Sequence, residues 1–172
     1  MQIEGIDVTI KVDIGPGNHS HSIISVRLED TLDGWPVSLT CNYHATVASN
    51  NIDEVMQVVE AHPILQLRLC ESPVEVRFFL AAIEALPNIQ PQVEVSPYRT
   101  DFALANRRIA IEIDGHEYHK TPEQRTRDAQ RERYLQLSGW RVIRFTGSEV
   151  YKNVWQCVEE VVQLVNSFDN TN

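Results

Sequence analysis

Asp101 and Glu112 lie on two short apolar runs, and their spacing suits shared metal chemistry. Residues 98–104 and 109–114 alternate in the way that is typical of two strands of a β-hairpin. If residues 106–107 form a two-residue turn, Asp101 lies directly opposite Glu112, with β-carbons about 5 Å apart. Like charges that face each other destabilise a sheet, so this arrangement favours a bound cation. Mg²⁺ or Mn²⁺ would suit two carboxylates and retain positions for water and phosphate.

The two faces of the predicted hairpin differ in chemistry. One face is apolar and consists of Phe102, Leu104, Ile109, Ile111 and Ile113. The other carries acids and small residues, namely Asp101, Ala103, Ala110, Glu112 and Asp114. The alanines leave space for a ligand. The alternative, which the residues alone leave open, is that the acids form the solvent-exposed face of an amphipathic hairpin.

The composition is that of a globular protein. The 172 residues, 42% of them hydrophobic and 23% charged, suit one domain or one domain with a small appendage. We expect no membrane association, since no apolar run approaches the roughly 18 residues of a membrane span, and no secretory signal. Three widely spaced cysteines (Cys41, Cys70 and Cys157) favour a reduced, cytoplasmic protein.

The net charge of −9 argues against a protein that coats nucleic acid by bulk electrostatics. Local binding is not excluded, because basic residues are concentrated after the hairpin. They are Lys120, Arg125, Arg127, Arg131, Arg133, Arg141 and Arg144.

Residues 1–70 are predicted to form a β-rich region that ends in a helix. Strands are indicated near residues 6–12, 23–28 and 37–47, with turn chemistry at 15–18 and 32–36. A helix is predicted from Asn51 to just before His62. The region shows no motif, and it is either an appendage or part of one larger sheet.

Residues 71–168 predict an α/β domain with a mixed sheet between helices, in the order helix, three strands, helix, strand, helix. Ser72-Pro-Val-Glu75 and Thr121-Pro-Glu-Gln124 both resemble capping boxes. The second of these helices should end at Gly139, and Ser148 should cap the last helix.

Other candidate residues have two interpretations each. Glu75 closes a predicted capping box, which alone explains a glutamate there. His116 and His119 form an H-x-x-H pair without further zinc ligands, so His119 is of more interest as a proton donor or phosphate contact. Phosphate-loop, dinucleotide, G-x-S-x-G and C-x-x-C motifs do not occur, which argues against the corresponding enzyme classes.

Four segments together form a family pattern: Glu75 in Ser-Pro-Val-Glu, Tyr98-Arg-Thr-Asp-Phe-Ala-Leu, Ile109-Ala-Ile-Glu-Ile-Asp-Gly-His-Glu-Tyr-His and Gly139-Trp-Arg-Val-Ile-Arg-Phe. Residues 71 to about 165 resemble the bacterial domain of unknown function numbered 559. That domain is akin to the very-short-patch mismatch repair endonucleases of the PD-(D/E)XK nuclease superfamily. The resemblance implies a restriction-endonuclease-like fold, a mixed sheet flanked by helices.

The resemblance also implies roles for individual residues. Asp101 and Glu112 would bind the metal together with the carbonyl oxygen of Ile113. Glu75 would be an acid near the metal or its water, and His119 would lie near the scissile phosphate.

Asp114 departs from the family pattern, because it stands where the superfamily usually has a lysine. An aspartate cannot supply that positive charge. The resemblance therefore implies that His119 or a neighbouring arginine takes part, or that the activity differs.

The predicted function is a Mg²⁺- or Mn²⁺-dependent DNA endonuclease. Arg125, Arg127 and Arg131 would form a positive rim beside the acidic site. The alternative is a non-catalytic nuclease-fold module for DNA binding or complex assembly, and a partner protein or homodimer is left open. A sugar- or nucleotide-binding role for the N-terminal region has no residue-level support.

Overall fold

The computed structural model describes residues 6–14, 20–32, 35–49, 51–114 and 121–169. The chain divides into two compact units, Met1–Pro73 and Val74–Asn172, and each is described by itself. Within the described ranges, no helix is long and apolar enough to cross a membrane.

The first unit is built on a three-stranded antiparallel sheet in the order β1-β2-β3. The strands are β1 (Ile6–Ile14), β2 (Ser20–Leu32) and β3 (Trp35–Val47). They are longer than the sequence indicates, because the β2–β3 ladder continues to the pair Leu32–Trp35. The predicted turn at 32–36 is therefore too long, because residues 32, 35 and 36 belong to strands. The predicted turn at 15–18 lies outside the described residues.

One helix packs on this sheet. α1 (Ile52–Glu60) begins after Asn51, where the sequence predicts a helix start, and the Asn51 side chain accepts a hydrogen bond from the Asp53 N–H at 2.9 Å. Its buried residues Val55 and Val59 share the interior with β2, and α1 contacts both β2 and β3. A 3₁₀ helix at Pro63–Leu69 was not predicted, since seven residues do not establish a helical period.

The second unit is a four-stranded mixed sheet with helices, as predicted. Its strands are β4 (Gln90–Val95), β5 (Tyr98–Leu104), β6 (Ile109–Asp114) and β7 (Arg141–Thr146), in that order across the sheet. β5 pairs antiparallel with both β4 and β6, whereas β6 and β7 are parallel. Its helices are α2 (Pro73–Ala82), α3 (Pro122–Leu137) and α4 (Gly147–Asp169).

The register of the β5–β6 hairpin agrees with the sequence prediction, but its turn does not. Phe102 pairs with Ile111, and Leu104 pairs with Ile109. The connection has four residues rather than two, with a 3₁₀ turn at Ala105–Arg107 and Arg108 in the left-handed region. A four-residue loop centred on the same point leaves the strand pairing unchanged.

α2 covers the apolar face of this sheet. The ring centroid of Phe78 lies 5.4 Å from that of Phe102 and 5.9 Å from that of Phe145. Phe79 stacks on Phe102 at 6.1 Å. α3 lies on the acidic face, since its residue Arg131 contacts Glu112. Glu112 therefore lies between the sheet and α3.

The ends of α3 and α4 show how local sequence sets the helix boundaries. Thr121 and Gln124 form the predicted capping box, and α3 stops before Gly139, whose φ of 79° favours glycine. The predicted cap of α4 at Ser148 is wrong. Thr146 and Glu149 form a reciprocal pair instead, with the Thr146 N–H donating to Glu149 at 2.7 Å and the Glu149 N–H donating to Thr146 at 3.3 Å.

Candidate active site

Asp101 and Glu112 occupy adjacent strands. The β5–β6 pairs end at Phe102–Ile111, and the same register continued by one position would place Asp101 opposite Glu112, whose pKa the charge of Asp101 raises. Residues that oppose each other directly in an antiparallel pair share a face of the sheet. Glu112 is only 3% exposed, and Asp101 is half-buried. The solvent-exposed hairpin face, the alternative from the sequence, is therefore wrong for Glu112.

The backbone of β6 orients Asp101. The Ile113 N–H donates to Asp101 Oδ2 at 2.7 Å. The N–H and C=O of one strand residue point to the same neighbouring strand, so the Ile113 carbonyl also points toward β5. This carbonyl was predicted as a metal ligand from the family resemblance, and its direction is compatible with that role.

A guanidinium group from α3 pairs with the second acid. Arg131 Nη2 lies 2.7 Å from Glu112 Oε1 and also donates to the backbone carbonyl of Arg99. Arg131 is thereby held between β5 and β6. A buried carboxylate needs such a partner, because an unpaired charge in the interior is costly.

The acids at this site repel one another. Burial raises the pKa of Asp101, the Ile113 N–H opposes that rise, and the nearby charge of Glu75 adds to it. Burial also raises the pKa of Glu112, while Arg131 lowers it and Asp101 raises it. Burial is the largest cause of both shifts, so the two carboxylates lie in a poorly solvated site where a bound cation would stabilise their ionised forms.

Glu75 reaches the acid cluster from the first turn of α2. It is 7% exposed, and Gln92 Nε2 donates to Glu75 Oε2 at 2.9 Å. Its charge acts on Asp101, as the pKa of Asp101 shows. Glu75 therefore lies within electrostatic range of the predicted metal ligands.

Gln92 is a site residue that sequence reasoning missed. It lies between the β4–β5 pairs Pro91–Phe102 and Val93–Thr100, at the position that would face Asp101. Its φ of 53° is in the left-handed region, which a glutamine rarely adopts. No sequence pattern marks a glutamine for this conformation, so the sequence alone does not identify Gln92 as a site residue.

Arg144 is a second cation beside the acids. In the parallel β6–β7 register Arg144 pairs with Glu112, and its Nε lies 3.6 Å from Asp114 Oδ2. Its Nη1 lies 3.9 Å from Glu132 Oε2. The sequence pattern places Arg144 only in the basic segment that follows the hairpin, with no role at the site. An arginine between the apolar residues Val142-Ile143 and Phe145 of one strand is the signal that could have identified it.

The structure describes only some of the remaining predicted site residues. His119, with His116, lies outside the described residues. Arg125 and Arg127 are exposed on α3. Arg127 precedes Arg131 by four residues and shares its helix face, whereas Arg125 points elsewhere around the helix.

The donor set at this site fits a hard divalent ion. Two carboxylates and a backbone carbonyl are oxygen ligands of the kind that Mg²⁺ prefers. Among the residues that the structure describes, no group of three or more His, Cys, Asp or Glu side chains is placed to hold a metal. A set of two carboxylates and one carbonyl requires no third such side chain, but Arg131 would have to share Glu112 with the ion.

A family model identifies the second unit. The restriction-endonuclease-like family REase_MTES_1575 matches residues 75–165, which is more than half of the chain. The chain belongs to this family. The REase_MTES_1575 match covers every predicted site residue and confirms the restriction-endonuclease-like resemblance. The narrower resemblance to domain 559 and the very-short-patch repair endonucleases stays a prediction.

Several curated proteins are similar to part of the chain. The uncharacterized protein YcjD of Escherichia coli (strain K12) is 31% identical over 75 residues, which are 44% of this chain and 62% of YcjD. Two uncharacterized proteins of Haemophilus influenzae (strain ATCC 51907 / DSM 11121 / KW20 / Rd) are each 34% identical. The matches span 64 and 70 residues, or 37% and 41% of this chain. The chain spans about half the length of these relatives, from 43% to 62%.

One solved structure shows a partial likeness. The catalytic domain of the homing endonuclease I-Bth0305I aligns with 55% of this chain and 91% of its own length, at 19% identity and a TM-score of 0.41.

Proposed function

We propose that this protein is a metal-dependent endonuclease that hydrolyses phosphodiester bonds in DNA. One observation carries the proposal. Two acids with raised pKa values, Asp101 and Glu112, lie on adjacent strands of a restriction-endonuclease-like chain. Buried acids with perturbed pKa values are candidates for catalytic work.

In this proposal Mg²⁺ or Mn²⁺ is held by Asp101, Glu112 and the carbonyl of Ile113. A bound divalent ion supplies Lewis acidity and lowers the pKa of water. The Ile113 N–H fixes the orientation of the Asp101 carboxylate through its 2.7 Å hydrogen bond. Glu75, oriented by Gln92, is the residue we propose to accept a proton from the attacking water.

Positive charge near the scissile phosphate has to come from a residue other than Asp114. We assign this role to Arg144, which contacts Asp114 at 3.6 Å and approaches the cluster from β7. Arg131 is a second source of positive charge once an ion takes its place on Glu112. Charge-assisted donors of this kind stabilise the negative charge that develops on a phosphate during hydrolysis.

The proposal is tested by incubating the purified protein with supercoiled plasmid DNA and Mg²⁺ or Mn²⁺. We expect nicked or linear DNA, and EDTA should abolish its formation. The two carboxyl groups must ionise to bind a metal, and burial raises the pKa of both. Cleavage should therefore fall, as the pH is lowered, at a higher pH than ordinary carboxyl groups would give. Cleavage that EDTA leaves unchanged would contradict the proposal.

DNA binding should depend on the face of α3 that carries Arg131. We expect Arg127→Ala to weaken DNA binding and to reduce the slope of log affinity against log salt by about 0.9, the value for one lost phosphate contact. Arg125→Ala is the matched control on another face and should change both quantities less. Fluorescence anisotropy over a salt series measures both, and equal effects of the two variants would refute this orientation of the DNA.

Arg131 itself is not suited to that comparison. Its guanidinium group pairs with Glu112 at 2.7 Å, so removing Arg131 also changes the proposed metal site. Double arginine substitutions that include Arg131 would therefore alter metal affinity as well as DNA binding.

A non-catalytic role in DNA binding or complex assembly is the second candidate. Two observations favour it: Arg131 occupies the Glu112 carboxylate, and Asp114 supplies no positive charge at its position. Such a protein would bind DNA with the same affinity in Mg²⁺ and in EDTA and would cleave none.

A further inference from the structure

β1 forms one edge of the first unit's sheet and carries exposed apolar side chains. Strand order places β1 outside β2. Val8, Ile10 and Ile14 are 41%, 36% and 46% exposed, although the neighbouring Ile24 and Val26 of β2 are fully buried. Alternation puts Val8 and Ile10 on the same face as these buried residues, since Val8 pairs with Val26 and Ile10 with Ile24.

The opposite face of β1 is polar and charged. It carries Asp7, Thr9, Lys11 and Asp13. The backbone groups of an edge strand can pair with another strand. Charged side chains on the edge prevent this pairing where they would face like charges. The arrangement of charges along β1 therefore decides which strand it can accept.

From this pattern we propose that β1 is the contact between two copies of the chain. Two β1 strands pair antiparallel about a two-fold axis at Thr9, so that Asp7 of each copy faces Lys11 of the other. In the same register Val8 faces Ile10, and Ile6 faces Val12. The Asp7–Lys11 pair occurs twice by symmetry, and the apolar residues of the two edges cover one another.

Other symmetric registers match the charges less well. An axis at Ile10 places Asp7 opposite Asp13, and an axis at Lys11 places that lysine opposite itself. An axis at Val12 pairs Lys11 with Asp13 but aligns only residues 10–14 of the described strand. The axis at Thr9 aligns residues 6–12 with no like-charge pair.

A second copy is favoured over a different partner because the strand is complementary to itself. The pairing would join two three-stranded sheets into one continuous sheet with both β1 strands at its centre. The proposal does not depend on the nuclease function, since none of the proposed catalytic residues lies in β1.

Sedimentation velocity over a concentration series tests the proposal on the full chain. Wild type should associate reversibly to a dimer. Asp7→Lys and Lys11→Asp should each weaken the dimer by roughly tenfold, because each creates two like-charge pairs. The double variant Asp7→Lys/Lys11→Asp should restore the wild-type association.

Asp13→Lys is the matched control. In the Thr9 register Asp13 faces no charged residue, so Asp13→Lys should leave the dimer unchanged. In the Val12 register Asp13 faces Lys11, so the same substitution would weaken the dimer. Far-UV circular dichroism checks that each variant is folded. A wild type that is monomeric at every concentration, a dimer that neither single substitution weakens, or a double variant without recovery would each overturn the proposal.

Discussion

Asp101→Asn should eliminate metal-dependent DNA cleavage, with a loss of at least about a thousandfold. The substitution removes the negative charge that the proposed metal needs, while the amide oxygen of asparagine can still accept the Ile113 N–H. Plasmid nicking by wild type and variant protein, at equal concentration and saturating Mg²⁺, measures the effect.

The matched control is Glu94→Gln, which removes one negative charge from an exposed position on β4 of the same sheet. It should retain wild-type cleavage. An Asp101→Asn variant that cleaves as fast as wild type would mean that the activity comes from another site or from a contaminating nuclease.

The stability of Asp101→Asn separates loss of chemistry from loss of folding. Burial raises the pKa of Asp101, so the folded state disfavours the ionised carboxylate, and this cost is fully present above the folded-state pKa. Asparagine has no such cost. The variant should therefore be at least as stable as wild type at neutral pH, and the difference should disappear in acid, where wild-type Asp101 is protonated. Urea unfolding at two pH values measures this.

Glu75→Gln should reduce cleavage by roughly a hundredfold, the effect of removing a general base. Glutamine closes a capping box as well as glutamate does, so this substitution preserves any capping role and removes only the charge. The measurement therefore distinguishes the two interpretations of Glu75. Full activity with unchanged stability would leave Glu75 with a structural role only.

Gln92 should act through Glu75 rather than on substrate. Gln92→Ala is expected to lower the cleavage rate by about tenfold, and the double variant should be no slower than Glu75→Gln alone, because residues that act as a unit are not additive. Gln136→Ala, on the exposed surface of α3, is a matched control and should cleave normally. Additive losses would place Gln92 in an independent role.

The features predicted correctly from the sequence are those set by local periodicity and caps. Alternation in residues 98–114 predicts the pairing of Phe102 with Ile111, and so the positions of Asp101 and Glu112 on adjacent strands. The helix start at Asn51 and the helix end at Gly139 are likewise set by local sequence. Such signals depend on a few neighbouring residues, which is why one sequence is enough to read them.

The features that the sequence could not show depend on tertiary contacts. Gln92 adopts a left-handed conformation where it contacts Glu75, which is 17 residues away. Arg131 pairs with Glu112 only because α3 lies across the sheet, and Arg144 reaches Asp114 only because β6 and β7 are parallel neighbours. The sequence predicts Arg131 beside the acidic site, but its ion pair with Glu112 and the contact of Arg144 with Asp114 depend on how the elements pack.

The proposed nuclease function requires that Asp101 and Glu112 hold a divalent ion. The most direct test is an anomalous difference map from a crystal of the protein soaked in Mn²⁺. We predict a peak between the two carboxylates, near the Ile113 carbonyl, with Arg131 shifted or sharing Glu112. A map at saturating Mn²⁺ with no peak there, and with Arg131 still paired to Glu112, would contradict the account.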